Sequence, residues 1–235
     1  MKTTRGSGAP WRLAALAAAG LAALAMYRLA YLAAAAGGAL EAYYGGLLWL
    51  DTAVAGRPLC LVLGGNSAVM LASRVVYLAH PAHLLLVSGL AALLDPPLFW
   101  ELVYEMLLVS GLASAVFAVL PTAPPWMVVP GVERGARALL DGFASADPYA
   151  SFPSLHVAYA VLAAYGACRL SRRLCRAAPL WPLAMAVAVL ASGNHYLADV
   201  AGGAALAAGS ILAAHGVFSS TQHRQLENDG PGAAS

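Results

Sequence analysis

The chain has 235 residues, 61% of them apolar and only 10% charged, against roughly 25% charged in soluble domains. A mean hydropathy of +0.72 means more apolar surface than one water-soluble core of this size can hide, and a net charge of +2 gives no polyanion-binding footprint. These values exclude an ordinary cytosolic enzyme, a disordered chain and a nucleic-acid binder, and leave a helical membrane protein of one domain.

Charge-free gaps locate the spans, because a helix needs about 20 apolar residues to cross a bilayer. Residues 1–10 are polar, with Lys2 and Arg5. The apolar run that follows is longer than the roughly 7–15 residues of a cleavable signal core, so it is expected to stay as span one, 11–36, interrupted only by Arg28. Residues 41–65 mix Glu41, Asp51 and Arg57 with Tyr43, Tyr44, Trp49 and leucines. That mixture suits a helix lying in the membrane interface, with a seventh span as the alternative. Span two covers 67–94, with Arg74 near its start and Pro81 as a kink. Span three covers 98–120, and a loop rich in Pro, Gly, Asp and Arg follows over 121–151. Spans four, five and six cover 152–170, 179–193 and 196–218, and residues 221–235 form a polar tail expected to be disordered. The fold class is therefore all-α, a polytopic six-helix membrane bundle over 11–220 with an additional interfacial helix near 41–65.

Lys2, Arg5 and Arg12 precede span one, and Arg169, Arg172, Arg173 and Arg176 separate spans four and five. With six spans both clusters fall on one side, which the positive-inside rule assigns to the cytoplasm together with both termini. The 121–151 loop and the 193–196 turn then face outward; Arg134 and Arg137 in that loop oppose the assignment mildly. Cys60, Cys168 and Cys175 are odd in number and match no disulfide framework or metal spacing; Cys168 and Cys175, which flank a basic run, are read as structural. His80, His83 and His215 are read as packing residues, and Ala201, Gly202, Gly203, Ala204 and Gly209 as close helix contacts.

Two segments carry chemistry, because polar side chains inside apolar spans are costly and usually functional. They are SFPSLHVAYA at 151–160 and GNHYLADVAGG at 193–203. Each opens a span on the same side. His195 and Asp199 are four apart, which would set them on one face of the first helical turns. A carboxylate there fixes the ring tautomer and leaves the other nitrogen as a nucleophile. Ser154 and the free N–H groups of a helix start make an anion site, and His156 can protonate a leaving oxygen. Together they describe phosphoryl transfer through a phosphohistidine. Zinc held by His156, His195 and Asp199 is the weaker alternative, since no HExxH motif is present; no metal or cofactor is expected.

PSLH at 153–156 and HYLAD at 195–199 resemble the second and third signature motifs of the type 2 phosphatidic acid phosphatase superfamily. FPSLH followed by NHYLADVAGG is similar to its inositol phosphorylceramide synthase branch and bacterial relatives, and so are PTAPPW at 121–126 and DPYASFPSLH. The resemblance covers about 67–215. It implies a six-helix bundle, His195 as nucleophile, Asp199 as its partner, His156 as acid and Ser154 as phosphate ligand, with Asn194 beside it. Pro124, Pro125, Trp126, Tyr149, Pro153 and Tyr196 would shape the site; Trp126 also suits an interfacial anchor. The first motif, Lys, six residues, then Arg-Pro, is missing, and Val189 stands where the third motif has Arg. A phosphoryl transition state wants positive charge. Arg74 and Arg28 are the favoured substitutes, since an Arg within a span needs a polar partner; Arg134 and Arg137 are further candidates that could equally snorkel.

The expected substrate is a phospholipid or polyprenyl phosphate, with a lipid or polyol hydroxyl as acceptor. Phosphoinositol-like head-group transfer at the outer face of a bacterial plasma membrane is the leading version. Simple lipid phosphate hydrolysis and a catalytically degenerate lipid-binding protein are the alternatives.

Overall fold

The computed structural model describes residues 9–36, 44–132 and 149–228. Its elements are α1 (Ala9–Ala36), α2 (Gly45–Ala55), α3 (Leu59–Gly64), α4 (Ser67–Leu94), α5 (Pro96–Val119), α6 (Pro125–Val128), α7 (Leu155–Leu170), α8 (Arg172–Cys175), α9 (Leu180–Ala191) and α10 (Leu197–Asn228). The chain is all-helical, and four helices are long and apolar enough to cross a membrane: Ala9–Ala34, Ser67–Leu94, Pro96–Val119 and Leu197–Phe218. The shorter apolar α7 and α9 occupy the fourth and fifth expected spans, which completes a helical membrane bundle.

Local chemistry sets the helix ends. Asn66 caps α4 by accepting from the N–H groups of Ala68 and Val69, and Asp95 caps α5 by accepting from Leu98, with Pro96 at the first helical position. α4 is continuous through Pro81. Residues 45–64 form two short helices, separated at Gly56, whose φ is +74°, and Pro58. Neither is long enough to span, so the seventh-span alternative falls. α10 continues beyond the last apolar span to Asn228, so part of the tail expected to be disordered is helical.

α5 is the central helix. Leu98, Leu102, Met106 and Val109 are buried against Leu16 and Ala19 of α1, Leu84, Val87 and Ala91 of α4, and Ala158, Leu162 and Ala163 of α7. Alanines on α7 let it lie close to the larger α5 side chains, as small residues do between membrane helices. At the end of the bundle reached by the C-terminus of α7, Tyr165 donates to Glu101 (2.6 Å), Arg169 pairs with Glu101 (3.3 Å) and His215 faces both. Cys168 and Cys175 are joined by a disulfide across the α7–α8 turn, while Cys60 is a buried free thiol. This corrects the expectation that the cysteines form no disulfide. A helix reversal had brought together two residues whose spacing matches no framework.

Candidate active site

The site lies where the starts of α7 and α10 meet. Ser154 caps α7, its Oγ accepting from the Val157 N–H, and its own backbone N–H donates to the Asp199 carbonyl at 3.0 Å. The two helix starts touch through backbone: a Cβ at Gly203 would run into the Ser154 carbonyl oxygen. The residue expected only to pack is therefore what lets the serine segment reach the aspartate.

Three separated blocks of sequence are stitched together here. Thr122 accepts from the Ser151 N–H through its carbonyl and from the Phe152 N–H through Oγ1, and Trp126 donates its N–H to the Gly193 carbonyl at 3.0 Å. Pro124, Pro125 and Pro153 are buried and Trp126 and Tyr149 half-buried around this junction. Tyr196 is fully buried.

His195 Nδ1 lies 3.3 Å from Asp199 Oδ2, and His195 Nε2 lies 3.4 Å from His156 Nδ1. His195 is 5% and Asp199 0% exposed. His195 stands in the turn before α10, not on the helix face expected from its spacing; Asp199, in the first turn, reaches back to it. The same Asp199 oxygen accepts from Ser151 Oγ (2.5 Å) and from the Tyr196 N–H (2.8 Å). In this geometry Asp199 Oδ2 can accept a hydrogen bond from the Nδ1–H tautomer of His195, which leaves Nε2 as the nitrogen with a free lone pair.

Several neighbours escaped the sequence reading. The Tyr77 and His80 rings from α4 each pack 4.5 Å from the His156 ring, and Tyr159 stacks on His80. His80, read as a packing residue, belongs to the wall of the site. Its signal was its place one turn after Tyr77 within a span. Ser151 sits inside the segment singled out but had no assigned role. Asp51 of α2 was set aside with the ambiguous 41–65 stretch. Its Oδ1 accepts from the Leu197 N–H at 2.8 Å. Burial pushes the Asp51 carboxyl above the usual range, against the lowering effect of that hydrogen bond.

The expected phosphate ligands fare unevenly. Ser154 is fully buried and engaged as a cap, although its hydroxyl proton is free to donate elsewhere. The Asn194 side-chain amide donates to Ser192 Oγ at 2.8 Å. Arg28 is half-buried on α1, one turn before Tyr31, whose ring stacks on Tyr149 near the site. Arg74 is exposed on α4, one turn before Tyr77. Arg134 and Arg137 lie outside the described residues. Among the described residues no cluster of three or more His, Cys, Asp or Glu side chains has metal-holding geometry.

A sequence profile of the PAP2 superfamily matches residues 55–213, a stretch that includes Ser151, Ser154, His156, His195 and Asp199. No curated protein and no solved structure matches the chain.

Proposed function

Because the chain belongs to the PAP2 superfamily, we propose that it is an integral membrane lipid phosphotransferase or phosphatase that works through a phosphohistidine on His195. The observation that carries the reading is the relay Asp199 Oδ2, His195 Nδ1, His195 Nε2, His156 Nδ1, with separations of 3.3 and 3.4 Å. His195 Nε2 attacks phosphorus and forms the P–N bond while the P–O bond to the leaving group breaks. His156 gives its proton to that leaving oxygen. Asp199 keeps the imidazole in the attacking tautomer and stabilises the cation that forms. In the second half His156 takes a proton from an incoming hydroxyl, which attacks the phosphohistidine and restores His195.

What attacks in the second half decides between transfer and hydrolysis. His195, Asp199 and Ser154 are almost wholly withdrawn from solvent, and exclusion of water favours an alcohol acceptor. We therefore favour head-group transfer between lipids, in line with the resemblance to the inositolphosphotransferase branch. Arg28 is the favoured cation for the phosphoryl group, since it shares the Tyr31–Tyr149 end of the bundle. The Arg169, Arg172, Arg173 and Arg176 cluster at the other end supports an extracytoplasmic site with cytoplasmic termini.

The test uses purified protein in detergent with phosphatidic acid, a polyprenyl phosphate and phosphatidylinositol, each with and without a lipid alcohol, beside His195→Ala. A new phosphodiester that needs the acceptor supports transfer. Free phosphate without acceptor supports hydrolysis instead. Lipid binding with neither product, or unchanged turnover in a folded His195→Ala variant, overturns the mechanism.

A further inference from the structure

α2 and α3 supply nothing to the phosphoryl-transfer steps, yet they grip both ends of the turn that carries His195. Asp51, in the middle of α2, is 1% exposed. A buried carboxylate is costly unless it is hydrogen-bonded, and a short apolar helix has no packing need for one. Its Oδ1 accepts from the backbone N–H of Leu197, the first residue of α10, at 2.8 Å. A helix start has unsatisfied N–H groups and a partial positive charge. Two carboxylates meet this one: Asp199 from within, through the Tyr196 N–H, and Asp51 from a separate element, through the Leu197 N–H.

The other end of the turn is held by α3. Gly64 lies against the Ala191 carbonyl oxygen at the end of α9, where an added Cβ would stand 2.8 Å away. Residues 192–196, which include His195, thus run between two anchors provided by α2 and α3. His195 also donates its backbone N–H to the Val189 carbonyl at 3.2 Å, so a slip at the start of α10 would move ring and carboxylate relative to each other.

We propose that Asp51 is a positioning residue for phosphoryl transfer, which holds the start of α10 through the Leu197 N–H so that Asp199 stays in register with His195. The inference rests on the reading of His195 as nucleophile. Asp51 acts through the Leu197 N–H and not on the reacting atoms.

The test compares full-length Asp51→Ala, Asp51→Asn, Leu197→Pro and His195→Ala, with phosphatidic acid in mixed micelles and activity counted per folded molecule. Loss of a hydrogen bond to a charged group predicts that Asp51→Ala lowers kcat about ten-fold or more while KM changes little. Asp51→Asn, whose amide oxygen still accepts from Leu197, restores most of it. Leu197→Pro removes the same hydrogen bond from the backbone side, at a helix position that tolerates proline, and should reproduce the loss. It also keeps the proposal testable if Asp51→Ala fails to fold. Wild-type kcat in Asp51→Ala or Leu197→Pro overturns the proposal. An effect on KM alone, or an Asp51→Asn as impaired as Asp51→Ala, also overturns it, since either gives the carboxylate a different role. With His195→Ala inactive, those results count against Asp51 only; turnover in His195→Ala removes the underlying reading itself.

Discussion

His156 and His195 face each other ring nitrogen to ring nitrogen at 3.4 Å, although one lies in the first turn of α7 and the other, 39 residues on, in the turn before α10. That gap is a long hydrogen bond and leaves no room for a phosphorus atom between the two nitrogens. On the proposed mechanism the substrate phosphate would therefore part the rings, and the Tyr77 and His80 rings behind His156 are what it would press against. A stable phosphate mimic such as vanadate should then protect His156 and His195 together from carbethoxylation. Protection of neither would place the phosphate elsewhere.

The roles of the two histidines separate by leaving group. His156→Ala should slow transfer from phosphatidic acid about 10²–10⁴-fold, the usual contribution of a general acid. A p-nitrophenyl phosphate ester leaves without a proton, so the same variant should keep most of its burst of p-nitrophenol. His195→Ala should lose both. Equal losses for the two substrates in His156→Ala would argue against His156 as the acid.

Ser151 shares Asp199 Oδ2 with the Tyr196 N–H and His195 Nδ1, and its contact is the shortest of the three. A hydrogen bond to a charged group is worth about 1.5–3 kcal/mol. Ser151→Ala should therefore reduce kcat by about ten-fold or more with little change in KM, and Ser151→Thr, which retains the hydroxyl, should recover it. Steady-state kinetics on the two variants decides the matter, and full activity in Ser151→Ala would make this contact incidental.

Spans were legible in the sequence because apolar length is a property of contiguous residues. All six expected spans coincide with helices to within a few residues at their ends, except that the last helix runs on from the expected end at 218 to Asn228. The pairing of His195 with Asp199 was legible from spacing, though not the turn geometry that produces it. Contacts across large separations were not legible. Asp51 meets Leu197 over 146 residues and Thr122 meets Phe152 over 30, each through a backbone N–H that every residue type except proline offers. His80 was hidden for a related reason: a ring stacked on another ring leaves no sequence spacing behind it. The cation for the phosphoryl group was not legible from sequence, because Val189 stands where the resembled third motif has Arg, and Arg134 and Arg137 lie outside the described residues.

Gly203 separates a structural glycine from a permissive one within a single helix. A Cβ there meets the Ser154 backbone carbonyl, whereas a Cβ at Gly216 meets nothing within 4 Å. Gly203→Ala should cost about 1–3 kcal/mol by overpacking and lower activity with it, since the atom it displaces belongs to the serine segment. Gly216→Ala should be neutral or slightly stabilising, as alanine favours the helix. Thermal melts of both variants in the same detergent provide the comparison, and equal melts would show that the α7 start yields easily to the extra methyl.

The α7–α8 turn sets two general rules against each other. By the positive-inside rule its arginines would place it in the cytoplasm, where thiols are kept reduced, yet Cys168 and Cys175 are joined. If the arginines decide the topology, the pair should be reduced in growing cells and close only on oxidation after lysis. Acid-quenched cells treated with a maleimide-polyethylene glycol should then show three modified thiols on the denatured chain, Cys60 included. One modified thiol would mean that the disulfide exists in the cell. That result would favour the reverse orientation, with the arginine cluster outside and the histidine site facing the cytoplasm. Reduction should leave turnover unchanged in either case, because the disulfide follows the C-terminus of α7 while His156 lies in its first turn.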